Sequence, residues 1–170
     1  MITDPGALLE SGAIRFERLL PGPIERVWAY LVDPDKRATW FCGGTEPSRA
    51  GETLTFFFDH KAMSGEPYPE RFANMEDGVS IDAEVTAFEP PRLLAWEWEG
   101  ERTRVELAEE GDKVRLVLTE GPLAAREKKI GNAAGWQAHL GVLEDRLAGR
   151  PLRGFWSVHA EAEEYYGERG

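Results

Sequence analysis

His139 is the residue of this chain best suited to moving a proton near neutral pH. It stands three positions after Trp136, on or beside the apolar stripe of a long helical segment. A histidine there can bind a ligand's polar group or act as an acid or base. It can equally hydrogen-bond a neighbouring strand or loop and only hold the helix in place. Asp82 and Glu84 lie two apart on one face of a strand-like stretch, as do Glu97 and Glu99. Paired carboxylates share acid and base roles when their surroundings differ; facing water, they are ordinary solvated surface. Cys42, between Phe41 and Gly43, reads as a small packed side chain rather than a nucleophile. The three histidines, His60, His139 and His159, show no metal-ligand spacing, so no metal and no cofactor is expected. There is no Gly-x-Ser-x-Gly elbow. Gly43-Gly44 lacks the lysine and the strand-to-helix setting of a phosphate loop. No catalytic set emerges.

The aromatic residues say more. Six Trp and eight Phe are many for 170 residues. Trp40, Phe41, Phe56, Phe58, Phe72, Met75, Trp96, Trp98 and Trp136 are candidates to line a ligand-binding cavity, with His139 and Leu140 beside them. Ligand sites are typically apolar with a few placed polar groups, which suits this set. The same residues would also suit a core filled to ordinary density.

The elements that position these residues follow from periodicity. Ile14, Phe16, Arg18 and Leu20 alternate with Arg15, Glu17 and Leu19, which is strand-like. Pro23 can open a helix, and Ile24, Val27, Trp28 and Leu31 recur at helical spacing. Asp33-Pro34 is a second helix start, an Asp cap before Pro at the first helical position, running to about Trp40. Strands are expected over 52–60, 79–88, 93–99, 102–108 and 113–119, with a long loop over 61–78. From residue 79 onward the short turns make a meander, hence an antiparallel sheet. Trp136, Leu140, Leu143 and Leu147 form one stripe on a final long helix, which Gly149 and Pro151 stop. The expected division is a leader over 1–12, one domain over 13–150 and an acidic tail over 151–170, helical but frayed from Glu161. The fold class is α+β: a curved antiparallel sheet, two short N-terminal helices, and a long C-terminal helix over an apolar cavity.

Several of these segments together resemble a known family. They are Pro23-x-Glu25-x-Val27-Trp28, Asp33-Pro34, Trp40-Phe41, Pro90-Pro91-Arg92-Leu93-Leu94-Ala95-Trp96-x-Trp98 and Gly135-Trp136-x-x-His139-Leu140. Their order over about residues 13–149 resembles the START-like superfamily, also called SRPBCC or helix-grip. Within it, the chain looks most like bacterial proteins related to the C-terminal domain of the heat-shock protein 90 ATPase activator. That resemblance implies the helix-grip fold. It also implies that the Gly-Trp-x-x-His-Leu pattern is part of how the helix packs. Function does not follow from a fold shared by binders, transporters and cyclases. Binding of a small hydrophobic ligand (a lipid, polyketide or aromatic metabolite) is the expected function. The alternatives are a stress-response or co-chaperone-type partner of a chaperone or other protein, and a cyclase- or hydrolase-like enzyme using the cavity.

Composition sets the outer bounds. A formal charge of −11 repels phosphate backbones and anionic headgroups, so neither nucleic acid nor membrane is an expected partner. A single cysteine allows no internal disulfide. No apolar run approaches a membrane span, and Met1 to Gly6 shows no secretory pattern. A cytoplasmic protein, monomeric or homodimeric, is expected.

Overall fold

The computed structural model describes residues 2–63 and 65–169. Among them, eight strands form one antiparallel sheet. They are β1 (Ala7–Leu8), β2 (Ile14–Pro21), β3 (Gly43–Gly44), β4 (Thr53–Phe58), β5 (Val79–Glu89), β6 (Leu93–Trp98), β7 (Glu101–Glu110) and β8 (Lys113–Glu120). The spatial order is β1-β2-β8-β7-β6-β5-β4-β3. The meander from β5 to β8 is as expected. The first long strand closes against the last, with Ile14 opposite Glu120. The crossover between β2 and β3 carries α1 (Ile24–Val32) and α2 (Pro34–Arg37).

Alternation decides which side chains face inward. Val114, Leu116, Leu118 and Glu120 of β8 are buried, as are Thr103, Val105 and Leu107 of β7. One strand breaks its period. A register shift between Val85 and Ala87 turns Phe88 rather than Ala87 toward α1, where its ring meets Trp28 at 5.7 Å.

The α1–α2 segment follows its caps. Pro23 is the residue before α1, one position earlier than a first helical residue. The Asp33 carboxylate accepts from the Asp35 and Lys36 N–H groups, with Pro34 next in line. Arg37 then turns inward and is 1% exposed. Among the described residues it pairs with no carboxylate. Its guanidinium donates to the carbonyls of Leu31, Cys42, Gly43 and Thr45. Those bonds fix the turn from Trp40 to Gly43 and aim Phe41 at the sheet. Gly43-Gly44 pairs with β4 as an edge strand. Gly44 has φ +110°, and a Cβ there would strike the Thr55 carbonyl.

The long helix α3 (Arg126–Ala148) crosses the sheet, and the last helix, α4 (Phe155–Gly167), packs on α3. Residues 151–170 were expected to be an acidic, fraying tail. Instead Phe155, Trp156, His159, Ala162 and Tyr166 of α4 are buried. The spacing 155, 159, 162, 166 is a helical stripe, interleaved with exposed acids, that the acidic composition obscured. α3 therefore buries two faces. One is the expected stripe of Trp136, Leu140, Leu143 and Leu147. Ala134, Gln137, Ala138 and Val142, on other sides of the helix, are buried too. The leader is also tied down: β1 pairs with β2. The Tyr166 hydroxyl donates to Gln137 Oε1 (2.6 Å) and accepts from the Gly6 N–H (2.7 Å). Gln137 Nε2 donates to the Thr3 carbonyl (2.8 Å). One phenol thus joins α4, α3 and the N-terminal segment.

Tyr166 is fully buried, so Tyr166→Phe leaves two polar partners unmatched. The variant is expected to lose about 1–3 kcal/mol in urea unfolding. Amide hydrogen exchange at Gly6 should accelerate with it. Unchanged stability and unchanged protection would show that the phenol does not hold the N-terminal segment.

Candidate functional site

A cavity of about 240 Å³ lies between the inward face of the sheet and the first half of α3. Its walls follow from the alternation. Phe56 and Phe58 come from β4, Ile81 from β5, and Trp96 and Trp98 from β6. Phe41 enters from the turn that Arg37 holds. α3 supplies Gly131, Gly135, Trp136 and His139. Phe41 is the hub of the rings: its centroid lies 4.9 Å from Trp136, 5.3 Å from Phe58, 5.5 Å from Phe56 and 6.2 Å from Trp96.

Seven of the eleven residues singled out in the sequence therefore meet at one cavity: Phe41, Phe56, Phe58, Trp96, Trp98, Trp136 and His139. Four do not. Trp40 is buried behind it, and its indole N–H donates to the Tyr30 carbonyl (2.7 Å). Leu140 is fully buried in the core. Phe72 stacks on Trp156 of α4 at 5.1 Å, and Met75 closes the same 3-10 turn, Glu70–Met75. The loop over 61–78 contacts α4 through Phe72, and neither of its two candidates reaches the cavity.

One end of the cavity is polar, and none of its residues was singled out in the sequence. Glu101 and Thr103 of β7, Glu120 of β8, and Lys128 and Asn132 of α3 line it. Thr103 and Glu120 are direct cross-strand partners. Thr103 Oγ1 donates to Glu120 Oε2 (2.8 Å), and Asn132 Nδ2 donates to Glu120 Oε1 (2.8 Å). Burial nevertheless raises the pKa of Glu120 above the usual carboxylate range, and nearby Glu101 adds to the effect. Lys128 pairs with Glu101 at 3.0 Å. The readable signal was the β8 alternation: Val114, Leu116 and Leu118 point inward, and Glu120 is next in phase.

His139 packs between the cavity and α4, 5.1 Å from Phe41 and 4.8 Å from Phe155. Its Nδ1 lies 2.8 Å from the Trp40 carbonyl. A carbonyl only accepts, so Nδ1 carries the proton and the ring bolts α3 to the α2 turn. His60 is its neighbour, 5.7 Å away ring to ring. Phe155 and Trp156 enclose His60, and its Nδ1 has no hydrogen-bond partner among the described residues. Burial lowers the His60 pKa to about 4 and the His139 pKa to about 3. Both rings are neutral at pH 7. The same burial pushes the Cys42 thiol well up, so it is an inert packed side chain. Asp82 and Glu84 face water, and Asp82 accepts from Thr55 Oγ1 (2.7 Å). Glu97 pairs with Arg102, and Glu99 is exposed in the β6–β7 turn. Among the described residues no three His, Cys, Asp or Glu side chains gather as a metal would require.

The buried imidazoles make stability depend on pH. The unfolded chain protonates a histidine near pH 6.5, and folded His60 near pH 4. Stability is therefore full above pH 6.5 and is lost as pH falls toward 4, by up to about 1.4 kcal/mol per pH unit for each such ring. His60→Phe keeps the aromatic packing and removes one ionisation. Urea unfolding at pH 7.5 and pH 5 is expected to show a smaller loss on acidification in the variant. Equal losses would mean that His60 opens to water before the fold does.

Among the described residues no helix is long and apolar enough to cross a membrane. No curated protein matches the chain. Among solved structures, it is similar to the solution NMR structure of the protein encoded by gene BPP1335 of Bordetella parapertussis. That match has a TM-score of 0.85 and 44% identity, covering 99% of this chain and 92% of the other. It shares its fold with CalU16 from Micromonospora echinospora, with a TM-score of 0.64 and 22% identity over 96% of this chain and 93% of the other. A third fold neighbour is DynU16, a protein in the dynemicin biosynthetic locus, with a TM-score of 0.59 and 22% identity over 82% of this chain and 49% of the other. The family model described as Activator of Hsp90 ATPase homolog 1-like protein matches residues 21–148, from the end of β2 to the end of α3. By that match the chain belongs to the Hsp90 ATPase activator-like family of the SRPBCC superfamily.

Proposed function

We propose that this protein binds a compact apolar molecule carrying an aromatic ring in the cavity under α3. Two glycines carry this reading. Gly131 and Gly135 stand four residues apart on α3, and both line the cavity. Residues at that spacing share one helix face. Each glycine costs a helix roughly 1 kcal/mol relative to alanine. Glycines in a helix often let another backbone come close. Here a Cβ at either position would meet nothing within 4 Å. The missing side chains leave open space, not a tight contact.

The size of the space narrows the ligand. An apolar void near 150 Å³ holds one benzene ring. At about 240 Å³ this cavity suits one ring with a short substituent, or a small fused pair. Ligand pockets generally begin near 300 Å³. A long acyl chain or a large polyketide would need more room, so the aromatic metabolite fits best among the expected ligand classes. The walls are rings that can stack on such a guest.

Two measurements test the reading. Native mass spectrometry of the protein as purified, with the denatured mass as control, is expected to show an added mass that vanishes on denaturation. Gly135→Leu should abolish that added mass. The variant should also be more stable than the wild type by about 1 kcal/mol, because the leucine regains helix propensity and fills the void. A stability loss of about 1–3 kcal/mol, the usual cost of overpacking, would instead mean that the space is not there.

A further inference from the structure

We propose that the cavity selects a guest bearing a protonated amine, held at its polar end by Glu120. This rests on the cavity being a binding site. The argument starts from charge. Glu120 is 8% exposed and has donors on both carboxylate oxygens, Asn132 on one and Thr103 on the other. Donors so placed suit an ionised acceptor rather than a protonated acid. They are neutral groups, however, and they do not cancel a charge. Among the described residues no cation pairs with Glu120. The one lysine lining the cavity, Lys128, is committed to Glu101.

The polar end sets two carboxyl groups, Glu120 and Glu101, against one lysine, so Glu120 has no counter-ion among the residues lining the cavity, and burial raises its pKa. A buried carboxylate without a counter-ion is costly. An ammonium group arriving from the cavity supplies the counter-ion and can use the lone pairs left free on the carboxylate.

The apolar walls favour the same sign. Indole faces carry negative potential and attract cations. Trp96, Trp98 and Trp136 all line the space. Lys128 Nζ already lies 5.8 Å from the Trp98 ring centroid, so an ammonium is tolerated at that wall. An anionic guest would meet Glu120, Glu101 and the ring faces together. A neutral guest would gain the apolar contacts alone.

Three probes of similar size separate these cases: 2-phenylethylamine, 2-phenylethanol and 3-phenylpropionate. Each would be titrated into the full-length wild type, Glu120→Gln and Gly135→Leu, read by calorimetry and by the tryptophan indole N–H shifts in NMR. The amine is expected to bind the wild type about tenfold more tightly than the alcohol, with the propionate weakest. Glu120→Gln should bring the amine down to the level of the alcohol. Its urea unfolding, read beside that of the wild type, shows that this variant is folded. A propionate as tight as the amine, or an amine preference that survives Glu120→Gln, would overturn the proposal. So would alcohol binding that Gly135→Leu abolishes with no preference for the amine; that result would leave the cavity reading intact. Alcohol binding that Gly135→Leu leaves unchanged, or no binding of any of the three probes to the wild type, would overturn both.

Discussion

A straight helix cannot follow a curved sheet along its whole length, and the site depends on that mismatch. Antiparallel sheets of this size twist and curl, while the 23 residues of α3 form a rod. The contact has to be close at one end and open at the other. Burial along α3 records this. Residues 126–132 are exposed or half-buried, whereas 136–143 are all buried. α4 presses on the buried half from outside. Phe155 and Tyr166 reach His139 and Gln137 there. With its second half clamped on both faces, α3 cannot settle onto the sheet at its first half. The space beneath Gly131 and Gly135 is thus held open by packing elsewhere.

The interior treats its polar groups in two ways. Arg37 is a buried cation, yet its N–H groups end on four carbonyls, and the Phe56 ring lies under it at 5.2 Å. Asp145 is a buried anion, and Arg153 meets both of its oxygens. His60 and His139 avoid the problem by staying neutral. Arg37, Asp145 and His139 each fix a turn or a helix through these bonds, and His60 is held by the rings around it. Glu120 differs. Its neighbours orient it without neutralising it, and it sits where the cavity is.

Most of the fold was legible because it follows periods of two and of roughly three and a half. Ile14–Leu20 and Leu94–Trp98 alternate, and Trp136 to Leu147 steps along a helix. The departures have identifiable causes. Phe88 rather than Ala87 turns inward because a bulge shifts the register after Val85, and alternation carries no mark of a bulge. Phe72 was assigned to the cavity because its partner, α4, was hidden by its acidic composition, and Met75 ends the same 3-10 turn. Trp40 and Leu140 are core residues, since apolar character alone does not separate a cavity wall from the layer behind it. The polar end was missed for a related reason. Thr103 and Glu120 occupy inward positions of apolar strands, and Glu120 falls one residue past the expected end of β8. Gly131 and Gly135 were visible too, but a helical glycine reads as a flaw until the space beside it is known.

Local rules usually agree with the global fold, and the exceptions gather at functional sites. Two exceptions meet here. The helix gives up propensity at Gly131 and Gly135, and the sheet buries a carboxylate without a counter-ion at Glu120. Either alone has an ordinary explanation, since a helical glycine is tolerated and a buried acid can be held by neutral donors. Their common location is harder to explain by packing. Alanine at 131 and 135 would fit and would favour the helix. Glutamine at 120 would keep hydrogen-bonding capacity without the charge. Replacing all three would leave a filled and neutral interior at this place, in keeping with the rest of the core. The chain instead has an opening, a ring-lined wall and an ionisable carboxyl group at one spot, and the packing of α3 against α4 keeps them there.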